Sequence, residues 1–171
     1  MIGIGIVGYG NIGKTVAKIA DAFGMNVLVY NRSKKDIPYK QVDKETVFKE
    51  SDFLTIHCPL NESTKNLINA EKIALMKDTV VLVNEARGAV INEHDVTEAI
   101  LSGKIGAFGS DVYSIEPFPD THPFYKIKDL DNVILTPHAA WAAYEARERC
   151  LNIISENISA FTRGERKNRV D

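Results

Sequence analysis

Short continuous apolar runs recur along the chain, separated by segments whose apolar residues fall at helical spacing. The runs are Ile4, Ile6 and Val7, then residues 25–30 (MNVLVY), 53–58 (FLTIHC), 79–84 (TVVLVN), 104–112 (KIGAFGSDV) and 132–137 (NVILTP). Runs of this kind, rich in Val, Ile and Leu, fit strands buried on both faces of a parallel sheet. Helical spacing predicts helices over residues 11–23, 43–50, 70–76 and 92–102. A last helix is predicted over residues 142–163, with Cys150, Leu151, Ile154, Ile158 and Phe161 on one apolar face and Gly164 as its stop. The alternation predicts an α/β fold, a Rossmann-type doubly wound parallel sheet in three αβα layers. Residues 114–124 (SIEPFPDTHPF) form the one proline-rich stretch and read as a surface loop.

The first strand and helix are joined by glycines. In GIGIVGYGNIGKTVA, residues 3–17, Gly8, Gly10 and Gly13 have the G-x-G-x-x-G spacing of a dinucleotide-binding turn. Gly8 would permit the sharp turn, Gly10 would let a pyrophosphate approach the backbone, and Gly13 would let the helix lie close on the strand. The helix then opens at Asn11 and Ile12, where unpaired N–H groups and the positive end of the helix dipole face the ligand. A strand before the glycines and a helix after them favour this reading over a turn that uses glycine for geometry alone.

Composition narrows the picture. With 171 residues, 44% of them hydrophobic, the chain suits a single dinucleotide-binding domain over residues 1–171 with a sizeable core. A net charge of −2 gives no basic field to attract nucleic acid. Cys58 and Cys150 are too few for a disulfide framework and read as packing residues, which points to a reducing cytoplasm. No apolar run approaches the roughly 18 residues that span a bilayer, and no signal peptide pattern opens the chain. No two of the four histidines have metal-ligand spacing, so no metal is expected.

Three stretches at predicted strand ends carry unusual chemistry: NEARGAV (84–90), SDVYSIEP (110–117) and TPHAAW (136–141). With the glycine turn they resemble, in order and approximate spacing, the cofactor domain of the D-isomer-specific 2-hydroxyacid dehydrogenases, over essentially the whole chain. The resemblance implies an NAD(P)-dependent oxidoreductase that moves a hydride between a nicotinamide and a small 2-keto or 2-hydroxy acid. It implies that Arg87, Glu116 and His138 act together. Arg87 would hold the substrate carboxylate with its fork of N–H donors. His138 would be the proton donor, a task suited to an imidazole pKa of about 6.5, and a carboxylate from Glu116 would favour its protonated form. Glu85, Ala86, Arg87, His138 and Ala140 would border the cofactor, Asp111 would help hold its carboxamide, and His57, Cys58 and Pro59 in HCPL would line it. Taken singly, Arg87 could pin a loop, Glu116 could be one more solvated carboxylate, His138 could cap a helix and Asp111 could cap a turn. Their coincidence at strand ends downstream of the glycine turn favours the joint reading. His94 and His122 match no such position and read as solvated.

The second strand ends in VYNRSKK, where an NAD enzyme often has an acidic residue roughly 20 residues after the glycines. Here Asn31 stands at that point, followed by Arg32, Ser33, Lys34 and Lys35, which could donate to a phosphate. The pattern leans to NADP and leaves NAD open. The segment HAAWAAYEARER, with Trp141, resembles the hydroxypyruvate reductase (glycerate dehydrogenase) branch; Trp141 could border the substrate pocket, pack between subunits or belong to the core. The family's substrate domain has no counterpart here, so the chain is expected to bind its dinucleotide, pair as a homodimer and turn over little alone. A dinucleotide-sensing module like the family's corepressor relatives is the alternative.

Overall fold

The computed structural model describes residues 1–170. Its elements run β1 (Gly3–Val7), α1 (Asn11–Ala22), β2 (Asn26–Tyr30), β3 (Lys40–Gln41), α2 (Lys44–Glu50), β4 (Phe53–Ile56), α3 (Ala70–Leu75), β5 (Val81–Asn84), α4 (Glu93–Leu101), β6 (Ala107–Ser110), β7 (Val133–Leu135) and α5 (Tyr144–Thr162). Two short 3-10 turns, Gly88–Val90 and Pro123–Lys126, follow β5 and β6. The strands form one sheet in the order β3-β2-β1-β4-β5-β6-β7, and every pairing is parallel. The chain divides into two units, residues 1–137 and the residues from His138 onward.

In the first unit, side-chain alternation sorts the strands between two helical layers. Ile4, Ile6, Val27 and Val29 pack with Ala17 and Ala20 of α1 on one face. Val7, Leu28, Leu54, Ile56 and Leu82 pack on the other with Val47, Ile73 and Val96 from α2, α3 and α4. Side-chain caps start these last three helices: Asp43, Asn69 and Asn92 accept the amides of Thr46, Lys72 and His94. The doubly wound sheet matches the fold that the alternation predicts, with boundaries shifted by a few residues and one unpredicted edge strand, β3.

Two expectations need correction, over residues 114–124 and at Cys150. Residues 114–124 are not simply a surface loop: His122 and Phe124 are buried, and a 3-10 turn begins at Pro123. Aromatic stacking holds this segment in place, with Phe118 and Phe124 rings 4.9 and 5.1 Å from the His122 ring. In the second unit the apolar face of α5 is exposed, with Leu151 at 67% and Phe161 at 83% of full exposure, because a single helix cannot bury its own stripe. Cys150 on that helix is therefore exposed and is not a packing residue. No helix among the described residues is long and apolar enough to cross a membrane.

Candidate functional site

The sheet order places the site. β1 pairs with β2 on one side and β4 on the other, so the winding reverses there, and ligands of such sheets bind beyond the carboxyl ends of the strands at that point. A cleft of about 490 Å³ opens at this position, between the glycine turn, the loop after β2 and the loop after β4. Gly8 has φ 98°, a conformation that L side chains rarely adopt, and a Cβ there would come within 2.8 Å of the Cys58 amide nitrogen. A Cβ on Gly13 would lie 2.1 Å from the Gly8 carbonyl oxygen, so only glycine lets α1 start so close to the turn. A Cβ on Gly10 would meet nothing within 4 Å, which leaves that side open to a ligand. Gly10 is also the N-cap of α1, and no side chain accepts the helix's first amides. They are available to an anion.

The electrostatics of the cleft agree. Arg32, Lys35 and Lys44 line it, and no carboxylate does among the described residues. Asn31 ties its walls together: its Oδ1 accepts the Tyr9 N–H at 3.2 Å, and its Nδ2 donates to the Ser33 carbonyl at 2.9 Å. Aspartate at this position could accept from Tyr9 but would face the Ser33 carbonyl without a proton to donate. On the opposite wall, the Thr64 hydroxyl donates to the Pro59 carbonyl at 2.6 Å and accepts the Asn61 amide at 2.8 Å, which fixes the loop after His57 and Cys58. His57 Nε2 lies 2.9 Å from the Thr55 hydroxyl, while Nδ1 is buried without a hydrogen-bond partner.

Burial holds the His57 imidazole below its ordinary pKa. The unfolded chain then binds the proton more readily, so His57 contributes stability above about pH 6.5 that is lost as pH falls toward the depressed folded value. Between pH 7.5 and 5.5 the melting temperature of the parent chain should therefore fall more steeply than that of His57→Gln. Parallel profiles would refute the assignment.

Further along the carboxyl edge, Asn84 closes β5 with its side chain fully buried. Its Oδ1 accepts the Ala86 amide at 3.1 Å and its Nδ2 donates to the Arg87 carbonyl at 3.1 Å, shaping the turn that carries Glu85, Ala86 and Arg87. Arg87 is exposed and donates from Nη1 to the Ala86 carbonyl at 2.7 Å. Asp111, at the end of β6, is buried and accepts from the Thr136 hydroxyl at 2.5 Å. Thr136 is held a second time by Tyr113, whose hydroxyl donates to its carbonyl at 2.7 Å. Burial first, and then the nearby carboxylates led by Asp111, push the Tyr113 pKa up to about 12, so this hydroxyl remains a donor at neutral pH. Glu116 accepts the Tyr113 amide at 2.9 Å. In the second unit His138 has φ 52°, and its carbonyl accepts the Trp141 indole N–H at 2.8 Å.

A glycine turn at the switch point, an uncapped α1 and polar residues along the carboxyl edge are the features of a dinucleotide-binding domain, and comparison with known proteins agrees. The model of one family, described as "D-isomer specific 2-hydroxyacid dehydrogenase, NAD binding domain", matches residues 3–140. The chain belongs to this family. Among its relatives, a hydroxypyruvate reductase of Thermotoga maritima is 48% identical over 148 residues, which cover 85% of this chain and 48% of the relative. The crystal structure of a D-lactate dehydrogenase with NAD+ from Lactobacillus jensenii superimposes with a TM-score of 0.93 at 32% identity, over 99% of this chain and 55% of that one. An acyclic imino acid reductase in complex with NADPH and D-Arg superimposes with a TM-score of 0.87 at 35% identity, over 98% and 53%. The chain thus spans about half the length of the relatives it matches.

Of the residues that the resemblance to this family implies, Gly8, Gly10, Asn31, Arg32, Ser33, His57, Cys58 and Pro59 line the one cleft. Asn11, Ile12 and Gly13 open α1 beside it without lining it. Glu85, Ala86, Arg87, Asp111 and Glu116 stand outside it, at or beyond the ends of β5 and β6, while His138 and Ala140 fall in the second unit. Lys44 and Thr64 also line the cleft and lie outside any motif, and Tyr30 lines it from within VYNRSKK. Asn84 was equally unassigned, although its place at the start of NEARG was a usable clue. His122 is not solvated but hydrogen-bonded to Glu93, and Trp141, at 62% exposure, is no core residue.

Proposed function

We propose that this chain is the cofactor-holding part of a 2-hydroxyacid dehydrogenase that reduces a small 2-keto acid such as hydroxypyruvate. The observation that carries the reading is the cleft at the switch point, which joins open main-chain amides at the start of α1 to three cationic side chains and no carboxylate among the described residues. That combination suits a dinucleotide: the helix start faces the pyrophosphate, and the loop after β2 reaches the adenosine ribose. Asn31 in place of an acidic residue, with Arg32 and Lys35 beside it, supports NADP over NAD. When bound, the dinucleotide supplies the hydride at its nicotinamide ring. Arg87 grips the substrate carboxylate, His138 donates the proton to the carbonyl oxygen, and Glu116 favours the protonated imidazole. Two cysteines without a disulfide framework support a cytoplasmic setting.

Calorimetric titration of this chain with NADH and with NADPH tests the reading. Saturable binding of both is expected, tighter for NADPH, with little turnover of hydroxypyruvate because reduction also requires an enclosed, positioned substrate. Absence of binding by either dinucleotide would overturn the cofactor assignment. Turnover of hydroxypyruvate at a rate typical of intact enzymes would overturn the partial-site reading.

A further inference from the structure

We infer that Gln41, a residue that does not line the cleft, positions the loop that distinguishes a 2′-phosphorylated adenosine ribose from an unphosphorylated one. The inference rests on the cofactor reading above and adds a residue to it. The loop of residues 31–35 is polar, and Arg32, Ser33, Lys34 and Lys35 are all exposed. None of these five residues has an apolar side chain to bury.

Gln41 holds it instead. Its Oε1 accepts the Lys35 N–H at 3.0 Å, and its Nε2 donates to the Asn31 carbonyl at 3.3 Å and the Ser33 carbonyl at 3.0 Å. The edge strand brings this carboxamide into place, since β3 pairs in parallel with β2 and sets Gln41 opposite Val29. Asn31 works from the other side, donating to the Ser33 carbonyl at 2.9 Å and to the Ser33 hydroxyl at 3.1 Å while its Oδ1 is bound to the glycine turn. The Ser33 carbonyl therefore receives two donors, one from each side. Three groups that line the cleft, Arg32, Ser33 and Lys35, ride on the segment so fixed.

Fixing matters because a single phosphate is recognised by a few charge-assisted hydrogen bonds, and these are weakened when the donors must first be ordered. Lys44 lies outside the staple on α2, with its ammonium 5.8 Å from the centre of the Tyr30 ring, so the charge it brings to the cleft does not depend on Gln41. Loss of the staple should thus reduce discrimination without abolishing binding.

The test is the ratio of NADPH to NADH affinity, measured by calorimetry on the parent chain, Gln41→Ala and Gln41→Glu. Gln41→Ala should lower the ratio about fivefold to tenfold while NADH affinity stays within about twofold, the size expected from lost hydrogen bonds and loop order. Gln41→Glu keeps an acceptor for the Lys35 amide but turns a carboxylate toward two carbonyls, so it should lower the ratio at least as far. A merely structural role would weaken both dinucleotides together and leave the ratio alone. A ratio within twofold of the parent's in both variants overturns the inference, whatever the parent's own preference. Failure of the parent to bind either dinucleotide removes the cofactor reading as well, so the two failures are distinguishable.

Discussion

Gly13→Ala should reduce affinity for NADH and NADPH at least about a hundredfold and destabilise the fold, whereas Gly10→Ala should reduce affinity while leaving stability almost unchanged. At Gly13 the added carbon would sit 2.1 Å from the Gly8 carbonyl oxygen and 3.2 Å from an Ile6 methyl. Gly8 is itself crowded, since a Cβ on it would lie 2.8 to 2.9 Å from backbone atoms of His57 and Cys58. The start of α1 must therefore move off the turn, at a cost of about 1–3 kcal/mol or more for such overpacking. The amides that would hold a pyrophosphate move with it. At Gly10, φ is −88° and nothing lies within 4 Å of a Cβ, so alanine fits the empty fold and obstructs only what binds there. Thermal melts and calorimetry on the two variants separate a nucleotide cradle from a tight turn. Retained affinity in Gly10→Ala would mean that no ligand approaches that face.

The second large effect is expected at Glu93, far from the glycine turn. This carboxylate is buried and accepts the Ser114 amide at 2.7 Å, the His122 Nε2–H at 3.0 Å and the Ser114 hydroxyl. His122 Nδ1 accepts the Phe124 amide at 3.2 Å, which makes Nε2 the donor toward Glu93. Serine, glutamate and histidine here form no hydrolytic triad, because both other groups donate to the carboxylate and no base faces the serine. The arrangement is a staple. It ties the start of α4 to the segment from Tyr113 to Phe124 that carries Glu116. Glu93→Ala strands three donors, one of them on a side chain only 2% exposed, at a cost of about 3 kcal/mol. For a chain of this size that corresponds to a fall in melting temperature of roughly 10 °C. Hydrogen exchange at the Ser114 amide should accelerate with it. A melting temperature within about 2 °C of the parent's would show that the staple is dispensable.

These two sites also show how far the sequence could be read. The glycine turn was legible because its meaning is local: three glycines, a strand before and a helix after lie within 15 residues. The Glu93 staple was not, since its partners are 21 and 29 residues away and the proline-rich stretch around His122 has the composition of a loop. Phe118, His122 and Phe124 are drawn inward by one another and by Tyr113, contacts that no periodicity announces. The apolar stripe on α5 was legible as a stripe, but whether anything covers it within this chain is a tertiary matter.

By itself, the sequence determined the order of the six longer strands and the five helices, the glycine turn between Gly8 and Gly13, and the segments after β5 and β6 where Arg87, Asp111 and Glu116 stand. Each follows from short-range periodicity or from the special backbone freedom of glycine, which a neighbouring context of a few residues suffices to define. The tertiary structure alone decided that a two-residue edge strand exists, that its Gln41 grips the loop after β2, that Lys44 joins the cleft, and that Glu93 and His122 meet in the interior. Those outcomes depend on which strands become neighbours, and polar side chains signal nothing about a partner until the sheet has brought it within hydrogen-bonding distance.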